Sequence, residues 1–344
     1  MTSVTSVVRT VEATAPTRVD LAGGTLDIWP LYLFHPGAVT VNAAIDRRAR
    51  CRVSPLERGV RFESKDARVK RAAGRVSELI GEDAVSLAAC VLDALGIETG
   101  VEVTTHSRVP AGSGLGGSSA LAVAIAAAAA AATGRELDTG ELWPIVRDAE
   151  ARSLAMPAGT QDHLAAIYGG VLVVRLQPGA PVVDRSSADP GQVQECLLLV
   201  NAGQTRFSGI NNWDVFKGQI DGDAGIRASL GKIASVAADL GRALEARDAM
   251  AVTELINLEW DARKALSAGV TSPEIDRIVS LAREAGGAAK VCGAGGGGVV
   301  LVWAVPGATG DGPRERVARA LRESGLAPMD YRLDLRGLEV EASS

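Results

Sequence analysis

The stretch VPAGSGLGGSSALAV at residues 109–123 decides how this chain is interpreted, because glycines and serines lead directly into an alanine-rich segment with strong helix propensity. Small residues let backbone amides approach a ligand closely, and a helix that starts there offers unpaired N–H groups and the positive end of its dipole. Together these features predict an anion site suited to phosphate. The residues of this predicted site are Gly112, Ser113, Gly114, Leu115, Gly116, Gly117, Ser118 and Ser119.

The two serines at the end of this stretch have two interpretations. Ser118 and Ser119 can cap the helix, and their hydroxyls are also suitable ligands for a magnesium ion. The plainer alternative is a glycine-rich turn with serine caps and no ligand.

This stretch does not fit either of two well-known phosphate-binding loops. A P-loop requires a lysine that is absent here. The glycines Gly112, Gly114 and Gly117 satisfy the dinucleotide pattern GxGxxG, with Asp138 at a suitable distance. However, Pro110 separates the glycines from the preceding strand, and residues 135–140 are typical of a turn, so the context disfavours a dinucleotide fold.

Two further glycine clusters flank this one. The first, AGGT at residues 22–25, follows the strand-like residues 18–21, and the last, GAGGGG at residues 293–298, precedes the strand-like residues 299–305. Consecutive glycines reduce stability through backbone entropy. The last cluster is therefore predicted to pass close to a ligand or another chain segment, with a structural bulge as the alternative.

Hydrophobic patterning predicts an α+β protein in two lobes. Strands are expected at 39–45, 50–53 and 101–105, and helices at 141–154, 224–246 and 273–285. Loop-like residues at 186–191 suggest a boundary near 190, giving lobes at 1–190 and 191–344.

Composition excludes several classes of protein. The 344 residues carry a net charge of −5, which disfavours nucleic-acid binding by bulk charge. The longest uncharged apolar run, 120–132, is shorter than the roughly 20 residues of a membrane-spanning helix. Four scattered cysteines and a start without signal-peptide character favour a cytoplasmic protein with reduced thiols and no membrane partner.

The three glycine clusters, in this order, resemble the three motifs of the GHMP kinases, which include galactokinase, homoserine kinase, mevalonate kinase and phosphomevalonate kinase. The motifs correspond to residues 15–27, 109–123 and 292–298. The resemblance implies an N-terminal lobe like ribosomal protein S5 domain 2 and a ferredoxin-like C-terminal lobe, with the active site between them. It also implies ATP and Mg²⁺ as cofactors, with 109–123 as the ATP-binding motif.

Within that family, the chain looks most similar to the D-glycero-D-manno-heptose 7-phosphate kinase group, with fucokinase-like enzymes nearby. AGTQDHLAAIYGG at 158–170 is similar to that group's GKQDQYAAAYGG pattern, and 201–208 resembles its TGxxRxS stretch. Three positions depart from the pattern: Gly117 stands where many members have serine, Thr25 where the sugar group has glycine, and Trp29 where it has proline. The substrate is therefore left open between a sugar and a sugar phosphate.

The resemblance assigns catalytic and metal roles to four residues. Asp162 corresponds to the catalytic aspartate that accepts the proton of the attacking hydroxyl. Arg18 corresponds to the motif-one arginine that stabilises charge in the transition state, and Ser118 and Glu150 correspond to Mg²⁺ ligands. The alternatives are a solvated loop for Asp162, a surface ion pair for Arg18 and a helix-surface charge for Glu150.

Substrate contacts are expected from the remaining motif residues. Asp27 is suited to accept paired hydrogen bonds from sugar hydroxyls, although a turn or cap role is the alternative. Arg206 is expected to bind a substrate phosphate or hydroxyl, and His163 to line only the edge of the pocket. Backbone approach to the substrate is expected at Gly24, Gly295 and Gly296.

The leading hypothesis is an ATP- and Mg²⁺-dependent kinase acting on a sugar or sugar-phosphate hydroxyl, as a monomer or homodimer. The alternatives within the family are a galactokinase-like, fucokinase-like or mevalonate-type kinase and a diphosphomevalonate decarboxylase. A non-catalytic sensor that binds ATP and a sugar, and an oxidoreductase based on the GxGxxG match, are the remaining alternatives.

Overall fold

A computed structural model describes residues 5–81, 85–110, 112–203, 209–308 and 310–342. Within these ranges the chain forms two β-sheets with helices packed on both, which confirms the α+β class. The strands of the first sheet are β1 (Val11–Ala22), β2 (Val39–Pro55), β3 (Val60–Ser64), β4 (Val69–Ala73), β5 (Val101–Ser107), β6 (Val171–Arg175), β7 (Val182–Arg185) and β11 (Glu339–Ala342). The strands of the second sheet are β8 (Leu197–Asn201), β9 (Ala288–Val291) and β10 (Val299–Trp303).

The first sheet is built around the long β1–β2 pair. Its order is β11-β1-β2-β5-β3-β4, with β6 on β2 and β7 on β6, and only the β3–β5 pair is parallel. Both ranges expected as strands, 39–45 and 50–53, lie in β2, but they form one continuous strand and not two. The residues between them stay in the strand, where Arg48 lies opposite Pro16 of β1 and pairs with Asp334 from the C-terminal segment.

Four helices precede β6 and pack beside the first sheet: α1 (Ser86–Ala94), α2 (Gly117–Ala132), α3 (Thr139–Leu154) and α4 (Gln161–Tyr168). The alanine-rich α2 is buried on nearly every side, which explains why it is apolar all round. Its small side chains allow close packing against β1, β2, α1 and α3.

The second sheet lies between two layers. Its order is β8-β10-β9, antiparallel throughout. The later helices are α5 (Pro190–Cys196), α6 (Gly209–Asp221), α7 (Ala224–Glu245), α8 (Ala249–Lys264), α9 (Pro273–Glu284) and α10 (Pro313–Glu323). One face of the second sheet packs on α9 and α10, and the other shares a core with α7, α8, β1 and β2.

The end of the chain returns to the first sheet. Strand β11 pairs with β1, Val11 lying opposite Ala342. The division into lobes at residue 190 stays a prediction. No helix within the described ranges has both the length and the apolar character needed to cross a membrane.

Candidate active site

A cavity of about 240 Å³ lies where the three glycine clusters meet. Its wall includes Gly24 from the first cluster, Gly114 and Gly116 from the second, and Gly293 from the third. Arg18, Asp27, Glu150 and Asp162, predicted separately from the sequence, all line the same cavity. The fold therefore brings together these four side chains, of which Arg18 and Asp162 are 144 positions apart in the chain.

Arg18, which lies in the predicted first motif (15–27), connects that motif to Gly114 in the second and Cys292 in the third. Its Nε donates to Oδ1 of Asp162 at 2.7 Å, and its Nη1 donates to the carbonyl oxygens of Gly114 at 2.6 Å and Cys292 at 3.2 Å. Burial alone would lower the pKa of Arg18, but the carboxylates of Asp162 and Asp20 raise it above its ordinary value. Arg18 is buried within the site, which excludes a surface ion pair.

The second and third glycine clusters pack backbone against backbone. A Cβ placed on Gly293 would lie 2.8 Å from the Cα of Gly114, and one on Gly298 would lie 2.6 Å from the carbonyl oxygen of Ser113. The amide of Val299 donates to that same carbonyl at 2.9 Å. The third cluster therefore needs glycine in part because it passes close to another chain segment.

The N-terminus of α2 is open toward this site. Its N-cap is Gly116 in a left-handed conformation, and no described side chain caps it. The expectation that Ser118 or Ser119 caps the helix is therefore wrong, because these residues lie inside the first turn. A Cβ on Gly116 would lie 3.0 Å from Oδ2 of Asp162, so the predicted phosphate cradle directly adjoins this carboxylate.

Gly117 also has a steric explanation. A Cβ at this position would lie 2.7 Å from Cγ2 of Val109, so a serine, which many family members have here, requires the valine to move. The departure from the family pattern at Gly117 is compensated by the side chain of Val109.

Glu150 is held at the start of α2 by two polar groups. Its Oε2 accepts from Oγ of Ser119 at 2.7 Å and lies 2.8 Å from Nε2 of His163. Burial would raise the pKa of Glu150, but His163 and the hydroxyls of Ser118 and Ser119 hold it below its ordinary value. Glu150 is therefore a buried carboxylate and not a helix-surface charge.

His163 was expected to line only the edge of the pocket, and that expectation was wrong. Its side chain is fully buried, with Nδ1 3.1 Å from the carbonyl of Gly159 and Nε2 beside Glu150. Burial would lower the pKa of His163, but the Glu150 carboxylate raises it. The position that the family pattern has as glutamine is here a buried histidine that pairs with Glu150.

Asp27 also lines the cavity and fixes the start of α4. Its Oδ2 accepts from the backbone amides of Thr160 at 2.6 Å and Gln161 at 3.0 Å, so the cap role left open by the sequence is present. Burial, together with the nearby charge of Asp162, raises the pKa of Asp27 to about 6. No described residue donates to Oδ1 of Asp27.

Gln161 was not singled out from the sequence, although it precedes Asp162. Its side chain is 4% exposed and lines the cavity, and its Oε1 has no hydrogen-bond partner among the described residues. Its Nε2 faces Gly24, where a Cβ would lie 2.8 Å away. A buried amide with an unpaired oxygen is unfavourable unless a ligand or water completes it.

A buried cluster of four charges, also missed from the sequence, supports the first glycine cluster. Lys290 Nζ lies 3.0 Å from both Asp20 Oδ2 and Glu259 Oε1. The guanidinium of Arg263 donates to Glu259, to Oγ1 of Thr25 at 3.1 Å and to the carbonyl oxygen of Gly24 at 3.0 Å. Charged residues inside apolar strand patterns, such as Asp20 and Lys290, were the sequence signal for this cluster.

Thr25 is a second position at which the sequence departs from the family pattern. It has φ of +73°, a conformation that disfavours a β-branched residue and favours glycine. Its hydroxyl accepts the hydrogen bond from Arg263, which offsets part of that strain.

Two of the residues predicted to contact the substrate do not line the cavity, and a third lies outside the described residues. Gly295 and Gly296 pack instead on the backbone of Val270 and Gly269, with Cβ positions 2.2 and 3.1 Å from their carbonyl oxygens. Arg206 lies outside the described residues, and its role stays a prediction.

The residues near α2 have the donor chemistry that Mg²⁺ prefers. Glu150 supplies an ionised carboxylate and Ser118 and Ser119 supply hydroxyls, all hard oxygen donors. Across the described ranges, no group of three or more His, Cys, Asp or Glu side chains is placed to hold a metal. A site here therefore needs oxygens from a phosphate ligand, as is usual for Mg²⁺ in kinases.

Comparison with known proteins connects this geometry to one family. Residues 82–170 match the model of the GHMP kinases N terminal domain, and residues 242–326 match that of the GHMP kinases C terminal domain. The chain is 26% identical to the D-glycero-alpha-D-manno-heptose 7-phosphate kinase of Campylobacter jejuni, over 87% of this chain and 90% of that protein. It is also 26% identical to the mevalonate kinase of Pyrococcus abyssi, over 97% and 98%.

One relative is much longer. The chain is 26% identical to the L-fucokinase/L-fucose-1-P guanylyltransferase of Bacteroides fragilis and spans only 34% of its length. The fold also matches the crystal structure of a D-glycero-D-manno-heptose 1-phosphate kinase from Bacteroides thetaiotaomicron, with a TM-score of 0.75 at 23% identity over 97% of this chain and 99% of that one. The two family models and the shared two-lobed fold show that this chain belongs to the GHMP kinase family of phosphotransferases.

Proposed function

We propose that this protein transfers the γ-phosphoryl group of ATP to a hydroxyl of a sugar or sugar phosphate, of the heptose 7-phosphate kind. The observation that carries the proposal is the Arg18–Asp162 pair, which adjoins Gly116 at the open N-terminus of α2 and lines the same cavity as Asp27. The similarity to the heptose 7-phosphate kinase of Campylobacter jejuni adds support for the acceptor class.

ATP binds with its phosphates on residues 112–119. The free amides at the start of α2 and the helix dipole attract negative charge. This local attraction is needed because the chain has a net charge of −5, which does not attract an anionic nucleotide. In this arrangement the γ-phosphate lies next to Gly116 and therefore next to Asp162.

Asp162 accepts the proton of the acceptor hydroxyl. One carboxylate oxygen, Oδ1, is held by Arg18, while Oδ2 faces Gly116 and the phosphate cradle. As the acceptor oxygen forms its bond to the γ-phosphorus, the bond from phosphorus to the β–γ bridging oxygen breaks and ADP leaves with that electron pair. Arg18 stabilises the negative charge that develops at the reacting centre.

Mg²⁺ neutralises phosphate charge when it is bound, and Ser118 and Glu150 are the residues that would hold it. The contacts of His163 and Ser119 with Glu150 orient this carboxylate toward the start of α2.

The acceptor lies on the Asp27 side of the cavity. Oδ1 of Asp27 is available to accept from a sugar hydroxyl, and Gln161 and Gly24 line the same wall. We expect Arg206 to contribute a further contact to a hydroxyl or phosphate of the acceptor.

An ADP-release assay of the purified protein, with ATP and Mg²⁺, tests the proposal. The acceptor panel contains free and phosphorylated hexoses and heptoses, with mevalonate and homoserine as non-sugar members of the comparison. We expect turnover with a sugar or sugar phosphate. Turnover only with mevalonate would show that the acceptor is not a sugar. Mevalonate kinase activity is the second candidate function, because the chain is similar to a mevalonate kinase. ATP binding with no turnover of any acceptor would indicate a non-catalytic sensor.

A further inference from the structure

A second cavity of about 570 Å³ adjoins the first. We name it the distal cleft, and its walls include Trp29, Tyr32, Leu33, Arg147, Ala151 and Pro157. Pro157 and Ala158 line both cavities, so one short segment forms the partition between them.

The distal cleft is not on the nucleotide side of the site. None of its lining residues belongs to 109–123 or 292–298, whereas the free amides for phosphate lie at the start of α2. A ligand that enters the distal cleft from the reaction cavity therefore comes from the acceptor end, beyond Asp27.

Asp27, which lines the reaction cavity, leads along the chain into the wall of the distal cleft. It lies two residues before Trp29 and is fixed by the amides of Thr160 and Gln161 at the start of α4. Tyr32 is close enough to both cavities for its pKa to respond to them: burial raises it, the charge of Arg147 lowers it, and the charge of Asp27 raises it. Trp29 and Tyr32, which follow Asp27 closely in the chain, both line the distal cleft.

The composition of the distal cleft suits an uncharged ring. Trp29 is 58% exposed and Leu33 is 42% exposed, a combination that leaves apolar area uncovered beside the reaction cavity. Arg147 is already committed, because it stacks 4.6 Å from the ring centre of Trp143 and donates to Asp148 at 2.7 Å. A flat aromatic face with a few polar groups is typical of sites that bind cyclic organic ligands.

Size favours an acceptor that occupies both cavities. The reaction cavity, at about 240 Å³, is below the roughly 300–1,000 Å³ of most small-molecule sites. The two cavities together have a volume in the upper half of that range, which is more than a single sugar ring requires.

We propose that the distal cleft binds a second, uncharged ring of the acceptor, which stacks on Trp29, so that the preferred acceptor is a disaccharide or glycoside. This inference rests on the proposed sugar-kinase function and, of the two acceptor classes named there, favours an uncharged saccharide over a sugar phosphate. Trp29 is the residue that would provide this specificity, at a position where the sugar group has proline.

The test compares acceptors that differ only in the second ring. For each monosaccharide turned over in the ADP-release assay, kcat/KM is measured for the monosaccharide, its sugar phosphate, its phenyl glycoside and disaccharides that carry it at the reducing end. We expect a two-ring compound to be at least tenfold better than its monosaccharide. In Trp29→Ala its kcat/KM should fall by about three- to tenfold, with Trp29→Phe close to wild type and the monosaccharide and ATP values within twofold.

Controls separate this inference from the proposed function. Met250→Ala removes a side chain that is also 58% exposed but lies on α8, and it should change no acceptor preference. Equal kcat/KM for one-ring and two-ring acceptors would overturn the inference and leave the kinase function standing. A preference for the sugar phosphate that Arg147→Ala abolishes would assign the distal cleft to phosphate and also overturn it. Absence of turnover with every saccharide would overturn both.

Discussion

Arg18 donates its Nε–H to Oδ1 of Asp162 at 2.7 Å while its Nη1 reaches the carbonyl oxygens of Gly114 and Cys292. A single guanidinium therefore orients the carboxylate in the reaction cavity and connects strand β1 to the second and third motifs. The chemistry of the site and the packing of the clusters depend on the same side chain, which makes Arg18 sensitive even to a change that keeps its charge.

Arg18→Lys should lower kcat by roughly 10²–10³-fold, because an ammonium cannot make the forked contact to Asp162 and reach both carbonyl oxygens. The Michaelis constants for ATP and acceptor should change by less than tenfold. Steady-state kinetics check this, with Arg61→Lys as the control, since Arg61 pairs with Glu102 on the exposed side of the sheet. A kcat within a fewfold of wild type would remove Arg18 from the mechanism.

Asp27→Asn should stabilise the fold at pH 7.5 while weakening acceptor binding. Burial raises the pKa of Asp27 to about 6 in the folded protein, compared with about 3.9 in the unfolded chain. Asp27 therefore contributes favourably to stability only while it is protonated. This contribution is lost as the pH rises from about 3.9 through 6. An asparagine oxygen can still accept from Thr160 and Gln161. We expect a gain on the order of 1–3 kcal/mol at pH 7.5 that largely disappears at pH 4.5, measured by urea unfolding.

The acceptor KM of Asp27→Asn should rise at least tenfold, with the ATP KM unchanged. The control is Asp184→Asn, which removes an exposed partner of Arg175. If Asp27→Asn gave the same stability difference at both pH values, the raised pKa would not be the cause.

Gly293→Ala should raise the KM for ATP at least tenfold and lower stability by about 1–3 kcal/mol, because the new Cβ would lie 2.8 Å from the Cα of Gly114. The matched control is Gly231→Ala in α7, where a Cβ meets nothing within 4 Å. That helical substitution should be neutral or stabilising by up to about 1 kcal/mol. Equal behaviour of the two variants in ATP titrations and thermal unfolding would show that the close packing of the clusters is not required.

The buried charge cluster should behave as a coupled unit. Lys290→Met leaves Asp20 and Glu259 with one cation between them, and we expect the unfolding free energy to fall by about 3–5 kcal/mol. Adding Asp20→Asn restores neutrality with the Glu259–Arg263 pair intact, so the double variant should lose less than the sum of the single variants by about 1–3 kcal/mol. Strict additivity in denaturant unfolding would argue that the four charges act independently.

Local patterns in the sequence predicted several elements well. The helix expected at 224–246 forms as Ala224–Glu245, and the one expected at 273–285 forms as Pro273–Glu284. These succeed because a 3.6-residue apolar period and end signals such as Asp223 and Ser272 depend only on neighbouring residues. The motif resemblance added the meeting of Arg18, Asp27, Glu150 and Asp162, which no local pattern contains.

Contacts between distant residues account for what the sequence did not predict. Lys290 and Asp20 are 270 positions apart, so their pairing depends on the tertiary fold. The same holds for the continuous strand β2, which pairs with β1 along most of its length but with β6 at its start and β5 at its end. His163 was misplaced because its partner, Glu150, lies on the preceding helix α3.

Replacing the carboxylate beside the phosphate cradle tests the central claim most directly. In Asp162→Asn, ADP release with the best acceptor from the screen should fall to background, while ATP affinity measured by calorimetry stays within a fewfold of wild type. The amide keeps the shape of the side chain but cannot accept the hydroxyl proton. Full turnover in Asp162→Asn would contradict the assignment of Asp162 as the base.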